Sequence, residues 1–165
     1  MTEETVGYQR KRLRDHEPID VVPLDLPERR FATVAVWWVP DRPPRRDLLG
    51  ALHAAEHAMI GVLPILATCD RWDIGGLSTN FHPATAAPTV FVYDGHPGGI
   101  GIARQGHTRF AEWVERTAAL LAGCPCASGC PSCVQSPKCG NLNEPLSKAG
   151  ALAVLRGIGA GTEAA

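Results

Sequence analysis

Apolar and polar positions come in blocks along this chain, and the blocks predict its elements. Residues 1–30 are polar and punctuated by proline ("GYQRKRLRDHEPIDVVPLDLPERR" over 7–30), and read as a solvated arm or strand region. "FATVAVWWVP" (31–40) concentrates β-branched and aromatic residues and stops at Pro40, the signature of a buried strand. "DRPPRR" (41–46) is a loop. From Asp47, a residue suited to capping a helix N-terminus, Leu48, Leu49, Leu52, Ala55, Met59, Ile60 and Leu63 recur at helical spacing. Pro64 is expected to end or kink that helix, because it lacks the N–H that the helix needs.

"CDRWDIGG" (69–76) is a turn-rich connector, and "LSTNFHP" and "TVFVYD" read as two strands. "GHPGGIG" (95–101) is a glycine-rich turn. Residues 107–124 form a second amphipathic helix, with Phe110, Val114, Ala118 and Leu121 on one face. "PLSKAGALAVLRGIGA" closes with a short helix, and "GTEAA" is a tail. The expected architecture is α+β: a mixed sheet of about four strands, two or three packed helices and a C-terminal zinc-stapled loop. The chain divides into an N-terminal arm (1–30), an α+β core (31–123), a cysteine-rich loop (124–143) and a C-terminal helix with its tail (144–165).

Composition adds exclusions. An apolar share of 45% and a charged share of 20% suit a globular domain with a real core. A net charge of −1 gives no global basicity to attract nucleic acid or a membrane surface. No apolar run is expected to reach the 18 or so residues of a membrane span. The first residues lack the apolar stretch of a signal peptide, so the expected location is cytoplasmic, with no membrane partner.

Five of the six cysteines fall within residues 124–139, in the pattern C-x-C-x3-C-x2-C-x5-C. In a reducing compartment such a cluster points to metal before disulfides. A C-x-x-C pair lets two thiolates reach one ion from a tight turn, and four thiolates leave no open position, so the expected ion is a structural Zn2+. An iron–sulfur cluster uses the same donors and is the other metal reading. The expected ligands are Cys130, Cys133, Cys126 and, at the end of a helix, Cys124; Cys139 is the alternative fourth. Cys69 reads as a small buried hydrophobe.

Two other stretches carry chemistry. "HAAEH" (53–57) has the H-x-x-E-H order of a class of zinc proteases. As a hydrolase it would need a third ligand, for which Glu112, Glu115 and Asp94 are candidates. As a second polar or metal site, His53, Glu56 and His57 would be joined by Asp73 or Asp94. The plain alternative is a buried hydrogen-bonded cluster. In "YDGHPGGIG", Asp94 is expected to cap exposed amides in a tight turn; the competing reading gives those amides to a nucleic-acid phosphate. His96 and His107 read as surface residues. Arg10, Lys11 and Arg12, with Arg45 and Arg46, are candidate phosphate contacts, although Asp15, Glu17 and Asp20 sit close by. Trp37, Trp38, Trp72 and Trp113 suit core packing, with Trp72 in a polar connector the best candidate to stack on a base.

The stretches "VGYQRKRL", "PLDLPERRFATVAVWW", "LHAAEHAMIGVLPILATCDRWDIGG", "VFVYDGHPGGIGIA" and "CPCASGCPSCVQSPKCGNLNEPLSK" occur in that order over about residues 5–157. Together they resemble the zinc-binding C-terminal domain of superfamily 2 DEAD/DEAH-box DNA helicases: the bacterial mitomycin-repair helicases and their RecQ-like fungal relatives. The resemblance implies an accessory domain that packs on two ATP-driven motor lobes and helps guide single-stranded DNA moving 3′ to 5′. It also implies a zinc role for the cysteine cluster. The chain departs from whole helicases in having no G-x-x-x-x-G-K-[ST] loop and no DEAH-like run. Without them ATP has no phosphate cradle, so the expectation is a fragment, a truncated product or a split subunit whose motor is another chain, with no ATPase activity of its own.

Overall fold

The computed structural model describes residues 1–15, 17–41, 43–44 and 46–159; Arg45 and the "GTEAA" tail lie outside the described residues. The contacts divide the chain into two units, Met1–Ala32 and Thr33–Ala165.

The first unit consists of two small antiparallel pairs. β1 (Thr2–Glu3) pairs with β4 (Arg29–Arg30), and β2 (Gly7–Lys11) pairs with β3 (Pro18–Pro23). Most of its side chains are exposed, as the polar, proline-punctuated sequence requires. Its basic run is largely answered within the unit. Arg10 grips Asp20 through two guanidinium nitrogens, and Arg12 Nη1 lies 3.2 Å from an Asp15 oxygen.

The second unit is built around α1 (Leu48–Ala67), apolar on nearly every side and buried against other elements on nearly every side. A sheet in the order β5–β7–β6 covers one flank of α1; the strands are β5 (Ala35–Trp38), β6 (Ile74–His82) and β7 (Ala87–Asp94). On the other side pack α3 (Phe110–Gly123) and α4 (Lys148–Gly159), while α2 (Ile102–Thr108) bridges to the sheet. The α+β class therefore stands. The sheet differs in detail from the mixed, roughly four-stranded one expected. It has three strands among the described residues, and β5 and β6 both run antiparallel to β7. The N-terminal strands pair with one another instead of extending it.

Four local expectations are revised. α1 is long and apolar enough to cross a membrane, although 67% of its most apolar window is buried, which is how the central helix of a globular core looks. Pro64 sits inside α1 and the helix runs one turn further, closing with Thr68 N–H donating to the Pro64 carbonyl at 3.2 Å. Asp47 precedes α1 in a left-handed conformation and makes no side-chain cap. The helix expected over 107–124 is two, α2 and α3, breaking at Arg109.

β6 begins at Ile74, inside the stretch expected to be a connector, because Gly75 and Gly76 pair with Tyr93 and Val92 of β7. At Gly76 side chains of α1 lie close against the sheet. A Cβ there would lie 2.5 Å from Glu56 Oε1 and 2.7 Å from Ile60 Cδ1. In the sheet, Val36 and Trp38 face the core while Trp37 is 55% exposed, the alternation expected of a half-buried strand.

Candidate metal centre

α3 ends at Gly123, and Cys124 N–H donates to the Leu120 carbonyl at 3.0 Å, so the first cysteine leaves the helix in a fixed position. The chain then folds into a tight loop. Cys133, Val134 and Gln135 N–H groups all converge on the Cys130 carbonyl at 3.0–3.1 Å, and Gly129 takes a positive φ of 123° that a side chain at this position would resist. This brings four sulfurs together: Cys124–Cys126 3.5 Å, Cys124–Cys130 3.6 Å, Cys126–Cys133 3.5 Å and Cys130–Cys133 3.7 Å.

These distances discriminate between chemistries. A disulfide would hold two sulfurs about 2.05 Å apart. Four sulfurs each about 2.3 Å from one tetrahedral ion would lie about 3.8 Å from one another. The observed spacing is that of a closed four-thiolate site, and the donor set fits zinc with no coordination position left for substrate.

The surroundings suit a negatively charged thiolate cluster. Lys148, at the start of α4, donates to the Cys124 and Cys126 carbonyls at 2.7 and 2.6 Å, placing an ammonium beside the loop. Cys130 N–H points at Cys133 Sγ at 3.3 Å. For Cys126, burial opposes ionisation, but the thiols of Cys133, Cys124 and Cys130 outweigh it and bring the group down to about 7. A bound zinc, carrying the largest local charge, would favour the thiolate at all four positions.

Cys139 lies elsewhere. Its sulfur is 3.4 Å from His53 Nε2, and it groups with His53 and His57 rather than with the other four cysteines. The reason is the loop that carries it. Asn143 clasps Ser136 through two hydrogen bonds (2.7 and 3.0 Å) and donates its own N–H toward Cys139 Sγ at 3.3 Å, so the loop turns back onto α1.

The remaining members of the expected polar site are dispersed. Asp94 is fully buried and caps α2: one carboxylate oxygen accepts from Ile100, Gly101 and Ile102 N–H, the other from Ala103 N–H, at 2.6–3.2 Å. That requires the left-handed turn at Gly98, Gly99 and Gly101, and it occupies amides that the phosphate reading would have needed. Asp73 accepts from the Asp70 N–H at 2.9 Å and lies 2.9 Å from His96 Nε2, which with the Asp70 amide holds its carboxyl below the usual carboxylate range. Neither aspartate joins the histidines. Glu112 is engaged by Arg109 and Arg116, so it too is no third ligand. Glu56 turns toward the sheet at Gly76 and Ser78. Burial pushes its carboxyl up to about 7, against the Ser78 hydrogen bond and the Lys138 charge.

The aromatic and basic candidates are split. Trp38 and Trp113 are core residues, whereas Trp72 is 68% exposed with the Lys138 ammonium 5.7 Å from its ring centre. Arg10 and Arg12 spend their charges on Asp20 and Asp15, and Lys11 is exposed on β2.

Known proteins resemble this chain in sequence and fold. The profile of the MrfA Zn-binding domain matches residues 55–134. A protein of Methanocaldococcus jannaschii is 36% identical over 107 residues, which are 63% of this chain and 96% of that protein. The ATP-dependent helicase YprA of Bacillus subtilis is 32% identical over 135 residues, 77% of this chain, and the chain spans only 18% of that helicase's length. The ATP-dependent helicase HRQ1 of Saccharomyces cerevisiae is 29% identical over 123 residues, 68% of this chain and 11% of that helicase's length. Among solved structures, the helicase MrfA bound to DNA superposes with a TM-score of 0.64 at 29% identity, covering 91% of this chain and 20% of that one. With its four-thiolate site formed at the end of α3 and these relatives around it, the chain belongs to the MrfA Zn-binding domain family.

Proposed function

We propose that this chain serves as the zinc-binding accessory module of an ATP-dependent DNA helicase acting in DNA repair, without catalysis of its own. In this reading it packs on the motor lobes and contacts single-stranded DNA in the cytoplasm. The observation that carries it is the four-thiolate loop on a chain 91% of which superposes on part of a DNA-bound helicase. The site's chemistry supports a structural role: four thiolates saturate a zinc ion, and the metal substitutes for the apolar core that a loop of Gly, Pro, Ser and Cys cannot build.

The proposed zinc ligands are Cys124, Cys126, Cys130 and Cys133. The proposed nucleic-acid contacts are Lys11 and exposed Trp72, with Arg10 and Arg12 contributing only when they exchange Asp20 and Asp15 for phosphates. The partner in this reading is a pair of motor lobes, in the same polypeptide or in another.

The test is a chimera. The matching segment of the Bacillus helicase is deleted, or replaced by this chain, and ATP-driven unwinding of a tailed duplex is measured. Deletion should abolish unwinding and replacement should restore it, while replacement carrying Cys130→Ser should not. A folded, zinc-loaded chimera that unwinds no better than the deletion would overturn the proposal.

A further inference from the structure

The histidines of "HAAEH" are left over once the four-thiolate centre is accounted for. His53 and His57 lie one turn apart on the same face of α1 and are both buried, with ring centres 4.3 Å apart. Each ring is fixed at Nδ1 by a backbone carbonyl: His53 by Pro145 at 2.9 Å and His57 by Val134 at 2.8 Å. A carbonyl only accepts, so in the neutral ring each Nδ1 carries the proton and each Nε2 presents a lone pair. This is the arrangement in which a protein orients histidines for a metal, with the second nitrogen held by a carbonyl or carboxylate.

Cys139 completes the set. Its sulfur lies 3.4 Å from His53 Nε2, and one donor atom from each of His53, His57 and Cys139 falls within 4.8 Å of the others. An imidazole nitrogen and a thiolate on one tetrahedral zinc would be about 3.6 Å apart, given bonds of about 2.05 and 2.3 Å. A plain hydrogen-bonded cluster accounts for less. A thiol has a single proton and can serve one imidazole lone pair, whereas a divalent cation satisfies both lone pairs and the thiolate together. The Asn143 N–H aimed at Cys139 Sγ would stabilise that thiolate, as a supporting donor does in a metal site.

We propose that His53 Nε2, His57 Nε2 and Cys139 Sγ form a second binding site for a divalent cation of the zinc class, separate from the four-thiolate centre. The donor set of two borderline nitrogens and one soft sulfur selects zinc or cobalt over magnesium or calcium. Three protein ligands leave the fourth position to water or another exogenous ligand, which distinguishes this site from its closed neighbour. The ion would pin the 136–145 segment to the central helix. The site uses none of the four clustered cysteines, so it does not depend on the reading given to them.

The experiment is metal counting on the full chain, apo protein being reloaded with zinc or with cobalt and freed of excess by gel filtration. The wild type should hold two equivalents, and Cys139→Ser and His53→Ala should each hold one. In the cobalt-loaded protein, Cys139→Ser should lose part of the thiolate-to-metal charge-transfer absorption while the bands of the four-sulfur site persist. Two outcomes overturn the proposal: one equivalent in the reloaded wild type, or two equivalents retained in both variants. Because the wild-type count needs no substitution, a variant that misfolds does not leave the question open. Loss of the four-thiolate ion alone, in Cys130→Ser, should leave one equivalent that still vanishes with Cys139→Ser.

Discussion

His57 on α1 is hydrogen-bonded to the carbonyl of Val134, the residue that follows the last cysteine of the four-thiolate group, at 2.8 Å. Two buried groups 77 positions apart in sequence are joined by one bond. His53 makes the equivalent contact to Pro145, so the cysteine-rich segment is held to the central helix at its middle and just past its end. The zinc loop is thereby continuous with the core, and a change on α1 is felt at the metal.

His57→Phe keeps much of the ring volume and removes the donor. The Val134 carbonyl would then be buried without a partner, at a cost of about 1–3 kcal/mol. The melting temperature of zinc-loaded protein should fall by at least the equivalent of this, since the proposed second ion also loses a ligand. An unchanged melting temperature would show that this bond does not anchor the loop.

Removing the metal should act more locally and more severely. Cys130→Ser deletes a ligand whose carbonyl also receives three loop amides. Much of a binding free energy of roughly 10–16 kcal/mol is lost with it. Limited proteolysis should then cut within 124–135, ahead of the segment held by Cys139, while the α1 core stays resistant. Lys148→Ala keeps the ligands and removes the ammonium beside Cys124 and Cys126, so zinc affinity should drop about tenfold, the low end for supporting groups. Competition with a chromophoric chelator measures both.

Asp94→Ala strips the cap from α2. Four amides lose their acceptor, three of them gathered on one oxygen. A loss of about 3 kcal/mol follows from leaving two buried and two part-buried donors unpaired. Urea denaturation gives the value; a loss below about 1 kcal/mol would mean that water takes over the capping.

Much of this was legible in sequence because local rules agreed with the fold. The β-branched and aromatic residues over 31–40, the apolar period of α1 and the C-x-x-C spacing each report a packing or ligation requirement directly. Asp94 was readable as a cap because an acidic residue precedes a run of glycines. What sequence could not supply was partner choice across long separations. Cys139 is six residues from Cys133 in the chain, yet the Ser136–Asn143 clasp sends it to His53 instead. The glycines at 75 and 76 imitate a turn, and their use as a seat for Tyr93 and for α1 appears only when the sheet and helix are in place. Pro64 does not end the helix, for a similar reason: a helix buried on most sides tolerates the loss of one backbone bond.

Gly76→Ala tests that seat. The added methyl would meet Glu56 Oε1 and Ile60 Cδ1 at 2.5 and 2.7 Å, so these two buried side chains must shift or α1 must move away from the sheet. Overpacking of this kind costs about 1–3 kcal/mol. Glu56→Gln gives the companion measurement. It removes a carboxyl that would have to serve as the base of a hydrolase, and no peptidase activity should be present before or after it; an activity lost on this change would reinstate the hydrolase.

DNA affinity is the last expectation, and the charge distribution sets it. The net charge is −1, Arg10 is held by Asp20, and Arg12 is close to Asp15. Few phosphates can be neutralised at once, and each contributes a slope of about 0.7 in log affinity against log salt on single strands. The isolated chain should therefore bind a single-stranded oligonucleotide with a Kd in the tens of micromolar or weaker, at roughly three to four phosphates and a slope of about 2–3. Asp20→Ala should release Arg10, strengthening binding and steepening the slope. The triple change of Arg10, Lys11 and Arg12 to Ala should do the reverse. Trp72→Ala should cost about 1–3 kcal/mol if a base stacks there, with the slope unchanged, since stacking releases no counterions. Fluorescence anisotropy across a salt series separates these effects. Nanomolar binding by the isolated chain would require a dedicated DNA surface that these residues do not form. Joined to motor lobes, contacts this weak still count, because tethering replaces a bimolecular encounter with an effective concentration in the millimolar range for a short linker.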